Sequence, residues 1–522
     1  MNTNDESGKA SYSRRRFLAG LGAGAAAVAG GGVLVPREAS AAPHRAHTYS
    51  LASSNNFTRL FSELPPFANQ SPKVEAALEE LGKPGGALDA MDQLSAGPVR
   101  LITDPELSVN NPNNPAHTAG TTFFGQFIDH DITFDVGSKM GRPTEPKDAG
   151  NGRTAALDLD SVYGGGPVAS PQLYDAVDRA KLKVESGGLF EDLPRASDMG
   201  AILGDPRNDE HVIIAGLHCA FLEFHNHAVD ALRLDGHPEA EVFAEARRLT
   251  TWHYQWLVVH EFLPLVVGQA LVDDVLANGR RFYLPQMGSA LIPVEFQAAC
   301  YRFGHSMVRP SYRANLAGDD GQAFFGMIFD PAAEGQADPL DLRGGARAPR
   351  RFVGWQTFFD FGDGEVKPNK RIDTKLSTPL FELPLAAIAS HDQPTALPQR
   401  TLLRHLTWKL PSGQDIARPM GAPVLSSEDL SELKSLGVGF ERSTPLWYYT
   451  LKEAELIEQG LRLGPIGGRI VAEVLIGLLQ SDPASFLASQ PNWQPTLQNP
   501  GSGFRMVDFL RFAGVDPASR GQ

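Results

Sequence analysis

Apolar positions return at helical spacing through most of the chain, over 118–131, 209–235, 238–268, 292–308, 376–388, 396–407, 427–436, 450–460 and 466–479. Strict polar/apolar alternation is scarce. The pattern therefore predicts a mainly α-helical fold with little β structure. Turn-forming residues interrupt it at 136–153 and 313–350, both rich in Gly, Pro and Asp. Residues 42–115 are rich in Pro, Asn and Ser with little periodicity, and read as an N-terminal arm wrapping the body. No later break divides residues 116–522, which read as one large helical domain.

The N-terminus follows a different pattern. Ser13-Arg14-Arg15-Arg16-Phe17-Leu18 matches the twin-arginine motif, and a weakly apolar Ala/Gly run leads to Ala39-Ser40-Ala41, a small-x-small cleavage site. Residues 1–41 are expected to be a signal peptide, with the mature protein periplasmic or extracellular. Twin-arginine export carries folded proteins, often with a cofactor already inserted. No later run approaches the roughly 18 apolar residues of a membrane span, so none is expected in the mature chain.

Composition narrows the reading further. The 522 residues are 42% hydrophobic and 21% charged, ordinary for a globular protein. A net charge of −14 argues against nucleic acid and anionic membranes, both of which need clustered Lys and Arg. Cys219 and Cys300 lie in apolar helical context and are expected to be buried free thiols.

The chemistry begins in FFGQFIDHDITFD, where His130 stands between Asp129 and Asp131 in an apolar helix. Buried charges need partners, or their pKa values shift until they are neutral. On a helix Gln126 and His130 share a face, while the two aspartates turn roughly 100° to either side. A capped helix end is the plain alternative. TAALDLDSVYGGG places oxygen donors at Thr154, Asp158 and Asp160, with the Ala156 carbonyl at the same spacing of two. Alternate residues of an extended loop face one way, and several hard oxygens suit Ca²⁺, with Asp131 as a further ligand. A polar turn would read the same.

Three further stretches complete the set. Arg207 and Glu210 lie in GDPRNDE at a helix start, Arg302 and His305 in CYRFGHSM, and Thr401 and Arg404 share a face in LPQRTLLRHL. His218, His225 and His227 could be read as zinc ligands, but without a carboxylate pattern they make a poor signature.

GQFIDHD, the oxygen-rich loop ending SVYG, RNDE, YRFGH and RTLLR occur in the order found in animal-type haem peroxidases, the peroxidase–cyclooxygenase superfamily. The resemblance runs from about residue 100 to the C-terminus, and LLR…LPSGQ looks most like the bacterial branch. It implies haem b and Ca²⁺ as cofactors, and hydrogen peroxide with a small electron donor as partners. By resemblance, His130 is the distal histidine, Gln126 the distal glutamine, Arg207 the catalytic arginine and His305 the proximal iron ligand. Asp129 and Glu210 match carboxylates that form ester bonds to haem in many members. Asp131, Thr154, Ala156, Asp158 and Asp160 fall on the calcium site, and Arg302 and Arg404 near the haem propionates. Asp160 stands where a serine is common. Thr401 stands where the family usually has an asparagine bonded to the proximal histidine, which puts the strength of that bond in question.

The rival readings are a haem-dependent fatty-acid dioxygenase of the same superfamily and a non-catalytic adhesion protein on the same scaffold. Position 302, where the dioxygenases carry a radical tyrosine, is arginine, and Tyr301 reads as a packed core residue. Intact His130, Arg207 and His305 weigh against a purely structural role.

Overall fold

Apolar periodicity becomes continuous helix wherever proline and local side-chain bonds leave the backbone ladder intact. The structure, a computed structural model, describes residues 55–188, 190–318, 321–336, 338–347, 350–388 and 390–521. The twin-arginine segment and residues 42–54 of the arm lie outside them. The helices that position the site are α1 (Pro72–Leu81), α2 (Ala119–Ile132), α3 (Val212–Leu234), α4 (Glu239–Leu257), α5 (Leu397–Thr407), α6 (Leu446–Glu458) and α7 (Pro465–Ser481). Among the described residues, the β-strands form three two-stranded antiparallel sheets, with isolated β-bridges elsewhere. They pair Asn113–Thr118 with Pro368–Lys370, Glu185–Ser186 with Glu191–Asp192, and Ser311–Arg313 with Phe325–Met327. The fold is mainly α-helical, as the periodicity predicts.

The core is built around α2. Residues 235–238 fold α3 back along α4, and α2 packs on α3 and on the short Gly304–Met307 helix. Phe127 of α2 stacks on Phe221 of α3 at 4.2 Å between centroids, and Tyr254 of α4 meets both rings edge-on. Such aromatic anchors are worth about 3–5 kcal/mol against truncation to alanine. Gly120 admits Phe359 so closely that a β-carbon there would lie 2.4 Å from the ring. Among the described residues no helix is long and apolar enough to cross a membrane. Cys219 and Cys300 are buried and free.

Four segments depart from the expected helices. The 238–268 run contains a π-helical stretch, Val258–Phe262, just before Pro264, which has no N–H to continue an α ladder. The 292–308 run breaks at Ala299 (φ −137°, ψ −74°) into Val294–Ala298, a 3₁₀ turn Cys300–Phe303, and Gly304–Met307. In 376–388 only the 3₁₀ turns Thr378–Phe381 and Leu385–Ala387 form, since Pro379 and Pro384 remove donors. In 427–436 a turn over 427–430, entered through reciprocal Ser426–Asp429 bonds of the capping-box kind, leads only into a 3₁₀ turn, Ser431–Leu436.

The stretch read as aperiodic holds α1. Ser71 caps it by accepting the Val74 N–H, and Val74, Ala77, Leu78 and Leu81 form a buried stripe facing α5. The composition of the surrounding stretch masks this short helix.

Candidate active site

Helix α2 buries most of its circumference, and its C-terminal turn carries the ionisable residues. Gln126 and Asp129 are half-buried, while His130 and Asp131 are buried on other sides. His130 Nδ1 lies 2.8 Å from Asn208 Oδ1, and Asn208 Nδ2 lies 2.9 Å from His218 Nδ1. With the amide oriented this way, Asn208 accepts from His130 Nδ1–H, so Nε2 keeps its lone pair. Burial, then the charge of Arg207, pulls the His130 pKa down to about 4, so the ring is neutral near pH 7.

Arg207 sits on a 3₁₀ turn, Pro206–Asp209, whose N-cap is Asp205. Its Nε and Nη2 donate to the Asp205 carboxylate at 3.0 and 2.7 Å, and Nη2 also reaches the carbonyls of His130 and Thr133. Burial alone would push Asp205 up, but the Arg207 guanidinium holds it well below the usual carboxylate range. Arg207 is thereby pinned beside His130, with Nη1 3.8 Å from Asp129. Glu210 accepts from Gln126 Nε2 at 3.1 Å, and Gln126 Oε1 faces His211 Nε2 at 2.9 Å. Burial raises Glu210 to about 8 against the opposing charge of Arg207.

His305 and Arg302 lie on the broken segment against α2 and α6. His305 Nδ1 is 3.4 Å from Thr401 Oγ1, which donates its own proton to the Leu397 carbonyl at 3.1 Å. The hydroxyl can then only accept from His305 Nδ1–H, which leaves Nε2 free for a metal. The contact is long. The departure at Thr401 therefore leaves the histidine with a weak neutral acceptor. Arg302 donates Nε–H to the Gln297 carbonyl (2.9 Å), and burial and the charge of Arg404 lower its pKa to about 9. Arg404 pairs with Asp135 at 2.8 Å.

These residues suit a haem. Gln126, Asp129, Arg207, Glu210, Arg302, Gly304, His305 and Arg404 all keep part of their surface open, although burial dominates the pKa shifts at Glu210, Arg302 and His305. A β-carbon added at Gly304 would meet nothing within 4 Å. Arg302 and Arg404 put excess positive charge on one side, where acidic groups fit. Tyr301 points elsewhere: its hydroxyl donates to the Gly125 carbonyl at 3.1 Å and its ring stacks on Phe296 at 4.6 Å.

The second cluster lies behind His130. One carboxylate oxygen from each of Asp131, Asp158 and Asp160 comes within 4.8 Å of the others. Burial alternates residue by residue from Asn151 to Asp160, with Thr154, Ala156, Asp158 and Asp160 on the more open side. The backbone is not a strand: Leu159 is left-handed (φ 60°) and Asp160 starts a helical turn. Asp131 accepts from Ser161 Oγ and the Leu159 N–H; Asp160 accepts from Thr154 and Arg153. Burial, then repulsion by Asp158 and Asp160, holds Asp131 well above the usual range, and burial with repulsion by Asp160 raises Asp158 to about 7. Three hard oxygens under mutual repulsion fit a divalent cation such as Ca²⁺. A cleft of about 510 Å³ lined by Thr154, Ala156 and Asp158 gives the loop a solvent-facing side.

The candidate zinc histidines do not converge. His225 bonds Tyr163 and the Ala180 carbonyl, His227 the Phe512 carbonyl, and His218 faces Asn208. Sequence reasoning missed Asn208, Asp205, His211 and Asp135, which orient His130, Arg207, Gln126 and Arg404. The first three lie in or beside GDPRNDEH, a density of polar residues entering an apolar helix that could have flagged them.

Residues 136–324 match the animal haem peroxidase family. The chain is 30% identical over 220 residues to the probable oxidoreductase PXDNL of Homo sapiens (37% of this chain, 15% of that protein). It is 24% identical over 299 residues to peroxidasin of Drosophila melanogaster (54% and 18%). It therefore spans less than a fifth of either relative's length. Peroxidase A of Dictyostelium discoideum shares the fold, with a TM-score of 0.56 at 16% identity over 83% of this chain and 89% of that one. A fatty acid alpha-dioxygenase of Arabidopsis thaliana does so as well, with 0.54 at 13% over 90% and 77%. The sequence match is thus to the animal haem peroxidase family over residues 136–324, and the likeness to the solved structures is one of fold.

Proposed function

We propose that the protein is a haem peroxidase that reduces hydrogen peroxide and oxidises small donors such as phenols or halides. The observation that carries this reading is the His130–Asn208 bond, which leaves a neutral, buried imidazole with a free Nε2 beside a fixed guanidinium. Haem b, held through His305 Nε2, would supply the redox chemistry that takes oxidising equivalents from peroxide and passes them to the donor.

His130 Nε2 takes a proton from hydrogen peroxide and hands it to the departing oxygen, general acid–base work for an imidazole that is neutral when substrate arrives. Arg207, clamped by Asp205, steadies negative charge on that oxygen without having to reorganise. Arg302 and Arg404 would hold the haem's acidic side chains, and Asp129 and Glu210 are its candidate ester-forming carboxylates. The Asp131, Thr154, Ala156, Asp158 and Asp160 set would take Ca²⁺ and tie the loop to the helix that carries His130. In this reading the chain is exported by the twin-arginine route, and its enzyme acts outside the cytoplasm. The test is purified protein loaded with haem: a Soret band lost in His305→Ala, together with peroxide turnover lost in His130→Ala, supports it. Turnover that survives His130→Ala overturns it.

A further inference from the structure

Helix α6 carries Trp447, Tyr448 and Tyr449 in succession, all fully buried. The Trp447 ring lies 6.1 Å from the His305 ring at 68°, and its Nε1–H donates to the Arg302 carbonyl at 3.0 Å. Its backbone N–H is held by His405 Nε2 at 2.9 Å, which locks the ring beside His305. The neighbouring Tyr448 hydroxyl donates to Glu432 Oε1 at 2.7 Å. Glu432 is exposed, and the same oxygen lies 3.3 Å from Lys452 Nζ. An oxidisable indole touching the proximal histidine is thus followed by a phenol whose proton acceptor stands at the protein surface.

We infer that Trp447 and Tyr448 form an electron relay from the His305 side of the site to a second oxidation site at Glu432, serving phenolic donors too large to enter the cleft. The inference rests on the haem peroxidase reading. In each transfer one electron leaves the Tyr448 phenol, passes through the Trp447 indole and ends on the peroxide-oxidised cofactor. The phenol's proton moves from Oη to Glu432 Oε1. A phenolic donor at the surface then returns one electron to Tyr448, Glu432 returns the proton, and the donor's own proton goes to solvent. Two such transfers and two protons convert one hydrogen peroxide to two waters. Electron tunnelling weakens exponentially with distance, so two consecutive aromatic residues on one helix, their side chains turned roughly 100° apart, divide the path from His305 to the surface into two shorter steps. Tyr301, bonded to a backbone carbonyl and ringed by core aromatics, has no comparable proton acceptor.

The experiment mixes full-length, haem-loaded protein with hydrogen peroxide and freezes it for electron paramagnetic resonance, with ring-deuterated tyrosine identifying the radical. Turnover of free phenol and of phenol coupled to dextran is measured alongside. The relay predicts a tyrosyl signal that is lost in Tyr448→Phe with the Soret band and free-phenol turnover unchanged, while oxidation of dextran-coupled phenol is lost. Glu432→Gln, which keeps an oxygen to accept from Tyr448 but is a far weaker proton acceptor, should slow the coupled substrate alone. A tyrosyl signal and coupled-phenol turnover that persist in Tyr448→Phe overturn the relay. Wild-type protein with no Soret band or no peroxide consumption overturns the haem peroxidase reading itself, and the relay with it.

Discussion

Asn208 Oδ1 accepts from His130 Nδ1 at 2.8 Å while Asn208 Nδ2 faces His218 Nδ1 at 2.9 Å, so one amide sets the tautomer of the candidate base. Asn208→Ala removes that lock without touching Arg207 or His305. The rate of peroxide reduction should fall by about 100-fold, within what a positioned acid–base group contributes. Stopped-flow mixing with peroxide checks this. An unchanged rate with an unchanged Soret band means that the amide does not govern His130.

Calcium should stabilise the fold and the site together. A ligand at 1,000 times its Kd contributes about 4 kcal/mol to stability, and Asp131 joins the loop to the helix bearing His130. Chelation, or Asp158→Ala, is expected to lower both Tm and activity. Elemental analysis that finds no calcium in active enzyme would sink the assignment.

At Thr401 the hydroxyl is spent on Leu397 and lies 3.4 Å from His305. Thr401→Asn supplies a longer side chain with a carbonyl acceptor, which should increase the imidazolate character of His305 and lower the iron reduction potential. Spectroelectrochemistry reads the direction. A potential that rises or stays put contradicts the weak-acceptor account.

Asp129 and Glu210 both retain carboxyl groups at the half-buried edge of the site. Haem is expected to become at least partly ester-linked after exposure to peroxide, through one or both of them. Acid–acetone extraction of treated protein should leave haem with the chain, and the double variant Asp129→Ala/Glu210→Ala should release it. Complete extraction from the wild type counts decisively against ester formation.

The Tyr301 hydroxyl is engaged by the Gly125 carbonyl, and position 302 is arginine. No oxygen uptake is therefore expected with linoleate or arachidonate. An oxygen electrode checks this; stoichiometric consumption abolished by Tyr301→Phe, with haem retained, would establish the dioxygenase reading instead.

What the sequence determined by itself was local. Helical periodicity is a property of nearest turns, so α2, α3, α5 and α7 follow from residue spacing, as does the shared side of Thr154, Ala156, Asp158 and Asp160. Charges within an apolar run, as in IDHD, must find partners, so the candidate residues were legible from the cost of burying them alone. The identity of those partners was not. Asn208 meets His130 across 78 positions, Asp135 meets Arg404 across 269, and Trp447 meets Arg302 across 145. Only tertiary packing brings such pairs within hydrogen-bonding distance. Proline likewise decided against helix at 376–388, because missing donors outweigh a weak apolar stripe. Spacing along the chain thus singled out candidate residues and the family resemblance gave them roles, while the fold alone decided which nitrogen of His130 stays free and which oxygens converge behind it.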